Sequence, residues 1–382
     1  MKFFSKKSSD IVFCILCLLF SVSLLSLLLF APHEDFSERE NRSLQKLPKL
    51  SFNTLANGSF FSKLSDFSAD QFPFRSTSCS ISSLSEFALL RQESNGVIVS
   101  KNGYLLVRPE YEDNKILADN LNAISSFLEA NRHTSSFLIV APRAIDVMSD
   151  SLPSLFYEDY GKNEYNILQE KIPANMLIDT STSLKKLSEQ GVNVWYKSDH
   201  HWTARGAYEA YLLVCNDLGL RAYPLEYFNT QCVSESFFGT SFSKSGLPQH
   251  SAFADTLELY RYSFDESVKI TSCSTENTVY GFYDISAINT KDKYQIFLGG
   301  NFDHLQIRNE ESKKEKMLII KDSFANSLIP FFSLHYDIDV IDLRYYKASP
   351  KKLLEESNFD KILLIYGMDT LCTDTSCTRI SK

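Results

Sequence analysis

The stretch Tyr196-Lys-Ser-Asp-His-His-Trp-Thr203 is the most informative part of this chain for its fold. It places an acid, two histidines and a tryptophan at four consecutive positions, 199 to 202. The apolar run 192–196 before it predicts a strand. The pattern over 203–218 predicts a helix with Thr203 as its N-cap. The polar cluster is therefore expected at the carboxyl end of a strand, immediately before a helix.

The same order of strand and helix recurs along the chain. Apolar runs predict further buried strands, and 3.6-residue periods predict the helices between them. This alternation predicts an α/β fold with a mostly parallel sheet and helices on both faces. The predicted strands are 136–141, 316–320, 338–342 and 361–366, and the predicted helices are 113–131, 164–172, 182–190, 324–334 and 349–356.

Three segments are predicted along the chain. Residues 1–31 form a cytoplasmic tail and transmembrane anchor, 32–110 a stem with helices and a hairpin, and 111–382 the α/β domain. The predicted helices of the second segment are 60–72 and 80–91, and its hairpin is 96–107 around Lys101-Asn-Gly103.

A β-rich insertion is predicted within the α/β domain, at residues 222–312. Short apolar runs there break the regular alternation of strand and helix, so we interpret the segment as strands and loops lying over the site. The runs are 253–260, 278–283 and 294–298.

The anchor is predicted from residues 11–31, which carry no charge and are long enough to cross a bilayer as a helix. Lysines precede this run and acidic residues follow it, which predicts a cytoplasmic N-terminus and an extracytoplasmic remainder in the cell membrane. A cleaved signal peptide is the alternative, with an unusually long apolar region. The flanking charges are Lys2, Lys6, Lys7, Glu34, Asp35, Glu38 and Glu40.

The net charge and the cysteines limit the classes of protein to which this chain can belong. The net charge of -8 argues against a nucleic-acid-binding protein, which needs a basic face. Cys14 and Cys17 lie in the anchor, and six further cysteines lie in a compartment that permits disulfides. Cys372 and Cys377 are spaced to close a small loop, but the pairing stays open.

A second polar motif, Asp322-Ser323, follows the predicted strand 316–320 and opens a helix. Ligands of such sheets bind at the carboxyl ends of the strands, where Asp199–Trp202 is also expected. A serine on this turn is a candidate nucleophile beside backbone N–H groups. The two motifs are therefore interpreted as halves of one active site.

The roles follow from side-chain direction. Residues two apart in an extended segment face the same side, so Asp199 and His201 point together and His200 faces away. A serine nucleophile needs a base, and the base needs an orienting group. We therefore assign Ser323 as nucleophile, His201 as general base and Asp199 as orienting acid, with His200 as the alternative base.

Each motif also has a purely structural interpretation. Asp-Ser before a helix is often only an N-cap. Asp199-His-His201 could bind a metal, but adjacent histidines in an extended segment diverge and no third ligand spacing is visible. We therefore predict no metal. We also predict no cofactor, because a serine nucleophile with its own base needs none. Trp202 is most simply a core anchor for the following helix.

Further short motifs span nearly the whole ectodomain. They are Glu40-Asn-Arg42, Leu47-Pro48, Asp70-Gln-Phe-Pro-Phe-Arg75, Asn102-Gly-Tyr104, Asp199-His-His-Trp202, Phe238-Gly-Thr240, Phe297-Leu-Gly-Gly-Asn301, Lys321-Asp-Ser-Phe-Ala-Asn326 and Asp342-Leu-Arg-Tyr-Tyr346. Together they resemble the DHHW family of bacterial extracytoplasmic proteins and, more distantly, the SGNH-hydrolase-like alginate O-acetyltransferases of the periplasm. The resemblance implies an SGNH-hydrolase-like three-layer sandwich.

The resemblance also implies site residues. An Asp-x-His pair and the serine of Gly-Asp-Ser form the triad in the acetyltransferases, and the matching positions are Asp199, His201 and Ser323; Lys321 stands in place of the glycine. SGNH-type enzymes bind the oxyanion with a glycine N–H and an asparagine amide. Candidates here are Gly300 and Asn301 beside the nucleophile's own N–H, with Asn326 as a rival. Apart from the resemblance, Arg344, Tyr345 and Tyr346 follow the predicted strand 338–342 and could line a substrate groove.

The implied activity is O-acetyl transfer to an exported polysaccharide or cell-envelope glycan through an acetyl-serine intermediate. The resemblance implies a membrane-bound O-acyltransferase partner that supplies acetyl groups. One alternative is a carbohydrate esterase with the same triad and water as acceptor. The other is a non-catalytic envelope scaffold or glycan-binding protein.

Overall fold

The computed structural model describes residues 6–37, 42–109, 114–156, 160–309 and 315–381. It contains two compact units, Met1–Leu90 with Gly246–Pro248, and Arg91–Ser245 with Gln249–Lys382. The hairpin assigned to the stem thus belongs to the second unit, and the three-segment division stays a prediction. Lys2, Glu38, Glu40, Asn41 and the end of the insertion, 310–312, lie outside the described residues.

The first unit is helical. Its helix α1 is long and apolar enough to cross a membrane, with a mean hydropathy of 2.9 over Asp10–Phe30. Two predicted helices are present, and the second begins five residues earlier than predicted, at Arg75. The elements are α1 Lys6–Phe30, β1 Phe36–Ser37, β2 Arg42–Ser43, α2 Phe52–Ala56, α3 Ser59–Asp70 and α4 Arg75–Ala88.

The second unit holds the central sheet and its helices. Its elements are β3 Glu93–Ser94, β4 Val97–Val99, β5 Leu105–Val107, α5 Lys115–Ala130, β6 Ser135–Ala141, α6 Ala144–Val147, α7 Lys162–Lys171, β7 Leu177–Asp179, α8 Ser181–Glu189, α9 Ala204–Asp217, β8 Asn229–Phe237, α10 Thr240–Ser245, β9 Asp255–Arg261, β10 Lys269–Ser272, β11 Thr278–Tyr280, β12 His304–Arg308, β13 Glu315–Lys321, α11 Ile329–Phe332, β14 Tyr336–Ile341, α12 Pro350–Glu356, β15 Lys361–Gly367 and α13 Met368–Thr373.

The central sheet is mixed, with the order β11-β10-β12-β14-β13-β15-β6-β7. The strands from β14 to β7 run parallel, and β12, β10 and β11 extend the sheet in antiparallel register. The predicted parallel part is therefore correct. The insertion is more than a cover, because three of its strands complete the sheet, while β8 and β9 pair separately.

The two faces of the sheet carry separate cores because side chains alternate along a strand. Ile319 and Ile365 face one core together with residues of α9. Leu318 and Leu364 face the other core together with residues of α5. Helices thus pack on both faces, and the carboxyl ends of the parallel strands stay available for a site.

Three local predictions are wrong, and one strand was missed. Residues 192–196 form no strand: Trp195 makes only an isolated bridge with Trp202, and the run is apolar because Val194, Trp195 and Tyr196 are buried by surrounding structure. A 3-10 helix, Lys293–Ile296, replaces a predicted strand. The helix predicted at 324–334 is divided into a 3-10 helix, Ser323–Ser327, and α11, which has a proline in its first turn. Strand β7 was not predicted.

The cysteines contribute no cross-link. All eight are free thiols, and both Cys372 and Cys377 are buried. The small loop that their spacing suggested is therefore not closed by a disulfide in this structure.

Candidate active site

Ser323 lies where β13 ends and the 3-10 helix begins. Asp322 caps this helix, because its Oδ1 accepts a hydrogen bond from the N–H of Phe324 at 2.9 Å. Its Oδ2 accepts from the N–H of Gly367, at the end of β15, at 2.7 Å. The structural interpretation of the Asp-Ser pair is thus correct for Asp322, whereas Ser323 remains partly exposed.

The loop that carries the histidines is held by Asp255 of β9. This carboxylate accepts from the N–H of Lys197 and the N–H of Ser198, both at 2.8 Å, and from the Ser198 hydroxyl at 2.6 Å. The N–H of Tyr196 donates to the carbonyl of His201 at 3.3 Å, which closes the loop. A tight loop, and not a strand, therefore presents Asp199–Trp202.

The three residues assigned to the triad form one hydrogen-bonded chain. His201 Nε2 lies 2.8 Å from Ser323 Oγ, and His201 Nδ1 lies 2.6 Å from Asp199 Oδ1. A carboxylate only accepts, so Nδ1 carries the proton and Nε2 accepts from the serine hydroxyl. This is the arrangement required for removing the serine proton.

Asp199 is fully buried and receives donors on both oxygens. The N–H of His201 donates to Oδ1 at 3.0 Å, and Thr240 donates to Oδ2 through its N–H at 2.8 Å and its hydroxyl at 2.9 Å. Burial by itself would raise the pKa of Asp199, but His200, His201 and these hydrogen bonds outweigh it and hold the pKa well below its usual range. The carboxylate thus stays ionised.

Gly239 permits this arrangement. A Cβ at this position would lie 2.2 Å from Asp199 Oδ2, closer than atoms can approach. Glycine therefore lets the backbone before Thr240 approach the carboxylate.

The imidazole of His201 is buried and neutral at ordinary pH. Burial, followed by the neighbouring His200, lowers the pKa of His201 to about 4, against the opposing effect of Asp199. The ring of Tyr294 stacks on it, with centroids 3.8 Å apart and an interplanar angle of 5°. The stack and the Asp199 bond together fix the orientation of the ring.

His200 does not face away as the extended-strand argument predicts. Its ring lies 3.8 Å from that of His201, and its Nδ1 lies 2.5 Å from Thr240 Oγ1. The two-residue period fails because the segment is a loop. Since the Thr240 hydroxyl donates to Asp199, His200 Nδ1–H is the donor to Thr240.

Trp202 joins the histidine loop to the serine segment. It is fully buried, and its Nε1 donates to the Phe324 carbonyl and the Ser327 hydroxyl, each at 3.0 Å. The predicted packing role is therefore correct, and the ring also fixes His201 relative to Ser323.

The predicted oxyanion residues belong to a second polar cluster, formed by Lys321, Asn301 and Asn326. Lys321 Nζ donates to Asn301 Oδ1 at 2.7 Å and to Asn326 Oδ1 at 2.6 Å. Burial lowers the pKa of Lys321 to about 8, against the attraction of Asp342. The N–H of Gly300 already donates to the Phe297 carbonyl at 3.2 Å.

Arg344 adjoins the Lys321 cluster through Asp342, and Tyr345 lies beside Arg344. Arg344 makes a two-pronged ion pair with Asp342, with distances of 2.9 and 2.6 Å, and its guanidinium lies 5.7 Å from the exposed ring of Tyr345. Among the described residues, neither makes a hydrogen bond or ring contact with Ser323 or His201. Their assignment to a substrate groove stays a prediction.

Asp199, His200 and His201 also have the composition of a metal site, with ligand atoms within 4.8 Å of one another. However, both nitrogens of His201 and both oxygens of Asp199 are engaged by protein groups. A metal would have to displace these partners, so the donor set fits a hydrogen-bonded triad better.

Three residues that contact the site were not assigned to it from the sequence. Thr240 carried a signal, because it ends the Phe238-Gly-Thr motif. Tyr294 and Asp255 carried none, because both come from the insertion and reach the site only through tertiary packing.

The comparisons with known proteins agree with this fold. A DHHW family protein from Eubacterium siraeum has 20% identity over 76% of this chain and 96% of its own, with a TM-score of 0.63. PatB1 of Bacillus cereus has 20% identity over 73% and 98%, with a TM-score of 0.62; its structure with a sulfonyl adduct has 18% identity over 75% and 100%, with a TM-score of 0.60. A search of curated protein sequences found no match to this chain.

A family model described as DHHW protein matches residues 121–341, more than half of the 382 residues. The matched region extends from α5 to β14 and includes Asp199–Trp202 and Ser323. The chain therefore belongs to the DHHW family.

Proposed function

We propose that this protein transfers an acetyl group to a hydroxyl of an exported polysaccharide or cell-envelope glycan, with Ser323 carrying the acetyl group as an ester. The observation that supports this is the chain of hydrogen bonds from Ser323 through His201 to Asp199, with lengths of 2.8 and 2.6 Å. The acetyl group and the glycan are inferred from the motif resemblance to alginate O-acetyltransferases. The α/β domain is then an SGNH-hydrolase-like three-layer sandwich.

In the first half-reaction, Ser323 Oγ attacks the carbonyl carbon of the acetyl donor. Its proton passes to His201 Nε2, and the carbonyl electron pair moves onto oxygen. Collapse of this intermediate breaks the bond to the donor's leaving group, which takes the proton from His201. Asp199 stabilises the imidazolium while the proton is held.

In the second half-reaction, a sugar hydroxyl occupies the leaving-group position. It gives its proton to His201 Nε2 as its oxygen attacks the acetyl carbon. Ser323 Oγ then leaves and recovers the proton. The neutral His201 is suited to both steps, since a base must be unprotonated to act.

Water in place of the sugar would make the protein a carbohydrate esterase. The same groups perform both reactions, and exclusion of water from the groove selects between them. A non-catalytic scaffold that binds glycans is the other alternative, and it requires no reactivity at Ser323.

The proposal places the site outside the cytoplasm. The apolar α1 would anchor the chain in the cell membrane with Lys6 and Lys7 on the cytoplasmic side. Acetyl groups would then have to cross the bilayer, which calls for a membrane-bound O-acyltransferase as partner.

The test is incubation with an activated acetyl ester, followed by intact-protein mass spectrometry. We expect one acetyl adduct in the wild-type protein and none in Ser323→Ala. Ser136→Ala is the matched control, because Ser136 is a buried serine on β6 that bonds to backbone carbonyls. A sulfonyl reagent is a second probe, since PatB1 has been obtained with a sulfonyl adduct.

Equal labelling of the wild-type protein and Ser323→Ala would refute the mechanism and favour the scaffold. If the adduct forms, an oligosaccharide acceptor separates the two enzymatic functions. An acetylated sugar supports the transferase, whereas free acetate alone supports the esterase.

A further inference from the structure

Lys321 is a buried cation two residues before Ser323. It is 1% exposed, and it is held mainly by the side-chain oxygens of Asn301 and Asn326. The carboxylate of Asp342 lies farther away, at 3.9 Å, and is already paired with Arg344. Burying an ammonium group is costly, so a lysine at this position calls for an explanation beyond filling space.

The contacts of Lys321 determine the orientation of the Asn301 amide. An ammonium group only donates, so it requires the oxygen end of the amide to face it. Asn326 Nδ2 donates to the same oxygen at 3.2 Å, so it favours the same orientation of the Asn301 amide. The NH₂ end of Asn301 must therefore point away from Lys321.

That NH₂ end is available for a ligand. Asn301 is partly exposed, and within the described part of the chain its Nδ2 makes no hydrogen bond. The neighbouring Gly300 cannot offer the same function freely, because its N–H donates to Phe297. Asn301 is thus the member of the predicted donor pair that keeps its hydrogens free.

The turn that carries Asn301 is also tied to the serine segment. Leu298, Gly299 and Gly300 have positive φ values of 62°, 71° and 104°, which direct the chain sharply into Asn301. The carbonyl of Gly300 accepts from Asn326 Nδ2 at 3.3 Å, and Asn326 lies in the same 3-10 helix as Ser323. Lys321, which precedes Ser323 in the chain, and Asn326, which follows it, therefore both hydrogen-bond to Asn301.

We propose that Lys321 is a positioning residue of the acyl-transfer site, which orients the Asn301 amide so that Nδ2 donates to the oxyanion formed when Ser323 attacks. This inference rests on the proposed function. Lys321 takes no proton from the serine and forms no bond to substrate. It acts through Asn301. Lys321 stands at the position where the alginate O-acetyltransferases have the glycine of their Gly-Asp-Ser motif.

A double-mutant cycle tests the inference. The measured quantity is the rate of Ser323 acetylation by an activated ester, as a function of ester concentration. Removing one oxyanion donor typically costs about 10²- to 10³-fold in rate. We expect a loss of about 10²-fold in the saturating rate for both Lys321→Met and Asn301→Ala, with an unchanged half-saturation concentration.

The double variant Lys321→Met/Asn301→Ala should lose little more than Asn301→Ala alone, because Lys321 acts through that amide. Multiplied losses in the double variant, or a wild-type rate in Lys321→Met, would overturn the inference. A merely structural lysine would change the folded fraction or the half-saturation concentration but not this coupling.

Two further variants keep the result interpretable. Lys316→Met removes an exposed lysine from the same strand and should leave the rate unchanged. Lys321→Gln keeps one donor group and should retain more of the rate than Lys321→Met; an equal or larger loss in Lys321→Gln counts against the inference. Absence of a Ser323-dependent adduct in the wild type would refute the proposed function, whereas an adduct with unaltered Lys321 variants would refute this inference alone.

Discussion

Two buried charges act close to Ser323, and the fold stabilises them in opposite ways. Asp199 receives four hydrogen bonds, from His201 and Thr240. Lys321 instead donates to neutral amide oxygens, with its nearest carboxylate at 3.9 Å. The consequence lies in their pKa values: that of Asp199 is held well below its usual range, whereas burial lowers that of Lys321 to about 8.

The difference indicates a division of work. Under the proposed function, a carboxylate that stays ionised at all ordinary pH values gives His201 a constant partner for proton transfer. A lysine bound by amides is suited to orienting those amides. Changes on the Asp199 side should therefore alter proton transfer, and changes on the Lys321 side should alter stabilisation of the oxyanion.

Asp199→Asn is expected to have the largest effect on the base side. The amide can donate to His201 Nδ1, which favours the tautomer whose Nε2 cannot accept the serine proton. We expect Ser323 acetylation to fall by about 10⁴-fold, as for triads whose acid is neutralised. The measurement is single-turnover acetylation, scaled to the folded fraction.

Asp339→Asn is the matched control, since Asp339 is a similarly buried, ion-paired aspartate on β14. It should lose stability but not the rate per folded molecule. Retention of more than about a tenth of the wild-type rate in Asp199→Asn would mean that Asp199 does not orient the base.

Thr240→Val should have an intermediate effect. It removes a hydroxyl donor to Asp199 and the acceptor of His200 Nδ1, while the Thr240 N–H stays in place. A lost hydrogen bond of about 1 to 1.5 kcal/mol corresponds to a rate loss of about tenfold. The same acetylation assay measures it.

Thr240→Ser keeps the hydroxyl and should recover most of the rate. If Thr240→Val and Thr240→Ser behaved alike, the hydroxyl would have no role and the change would reflect packing.

The pH dependence between about 5 and 7 should be the smallest effect. The proposed mechanism requires a neutral His201, whose pKa is about 4, so we expect the acetylation rate to be lost as pH falls through about 4 and to stay level above it. A rate profile on stable protein, measured from acid to neutral pH, checks this. An acid limb near the ordinary histidine value of about 6.5 would show that burial does not control this imidazole.

The sequence predicts the parallel strands of the central sheet better than it predicts the loop that carries the histidines. Continuous apolar runs, which alternate with helical segments along the chain, predict β6, β13, β14 and β15. Such runs are typical of parallel strands, which are buried on both faces. The same rule fails at 192–196, since Trp195 and Tyr196 are equally apolar but are buried by other elements and not by strand pairing. Local pattern reports burial, and it does not report which element causes it.

Asp199, His201 and Ser323 are recognisable as candidate partners from the sequence alone, because residue type and position after apolar runs limit which side chains can act together. Three contacts become visible only in the folded chain: His200 packs beside His201, Tyr294 stacks on the imidazole, and Lys321 donates to Asn301. These contacts join residues from the insertion, the loop and the sheet. Their energies depend on distances between distant parts of the chain, which no local pattern contains.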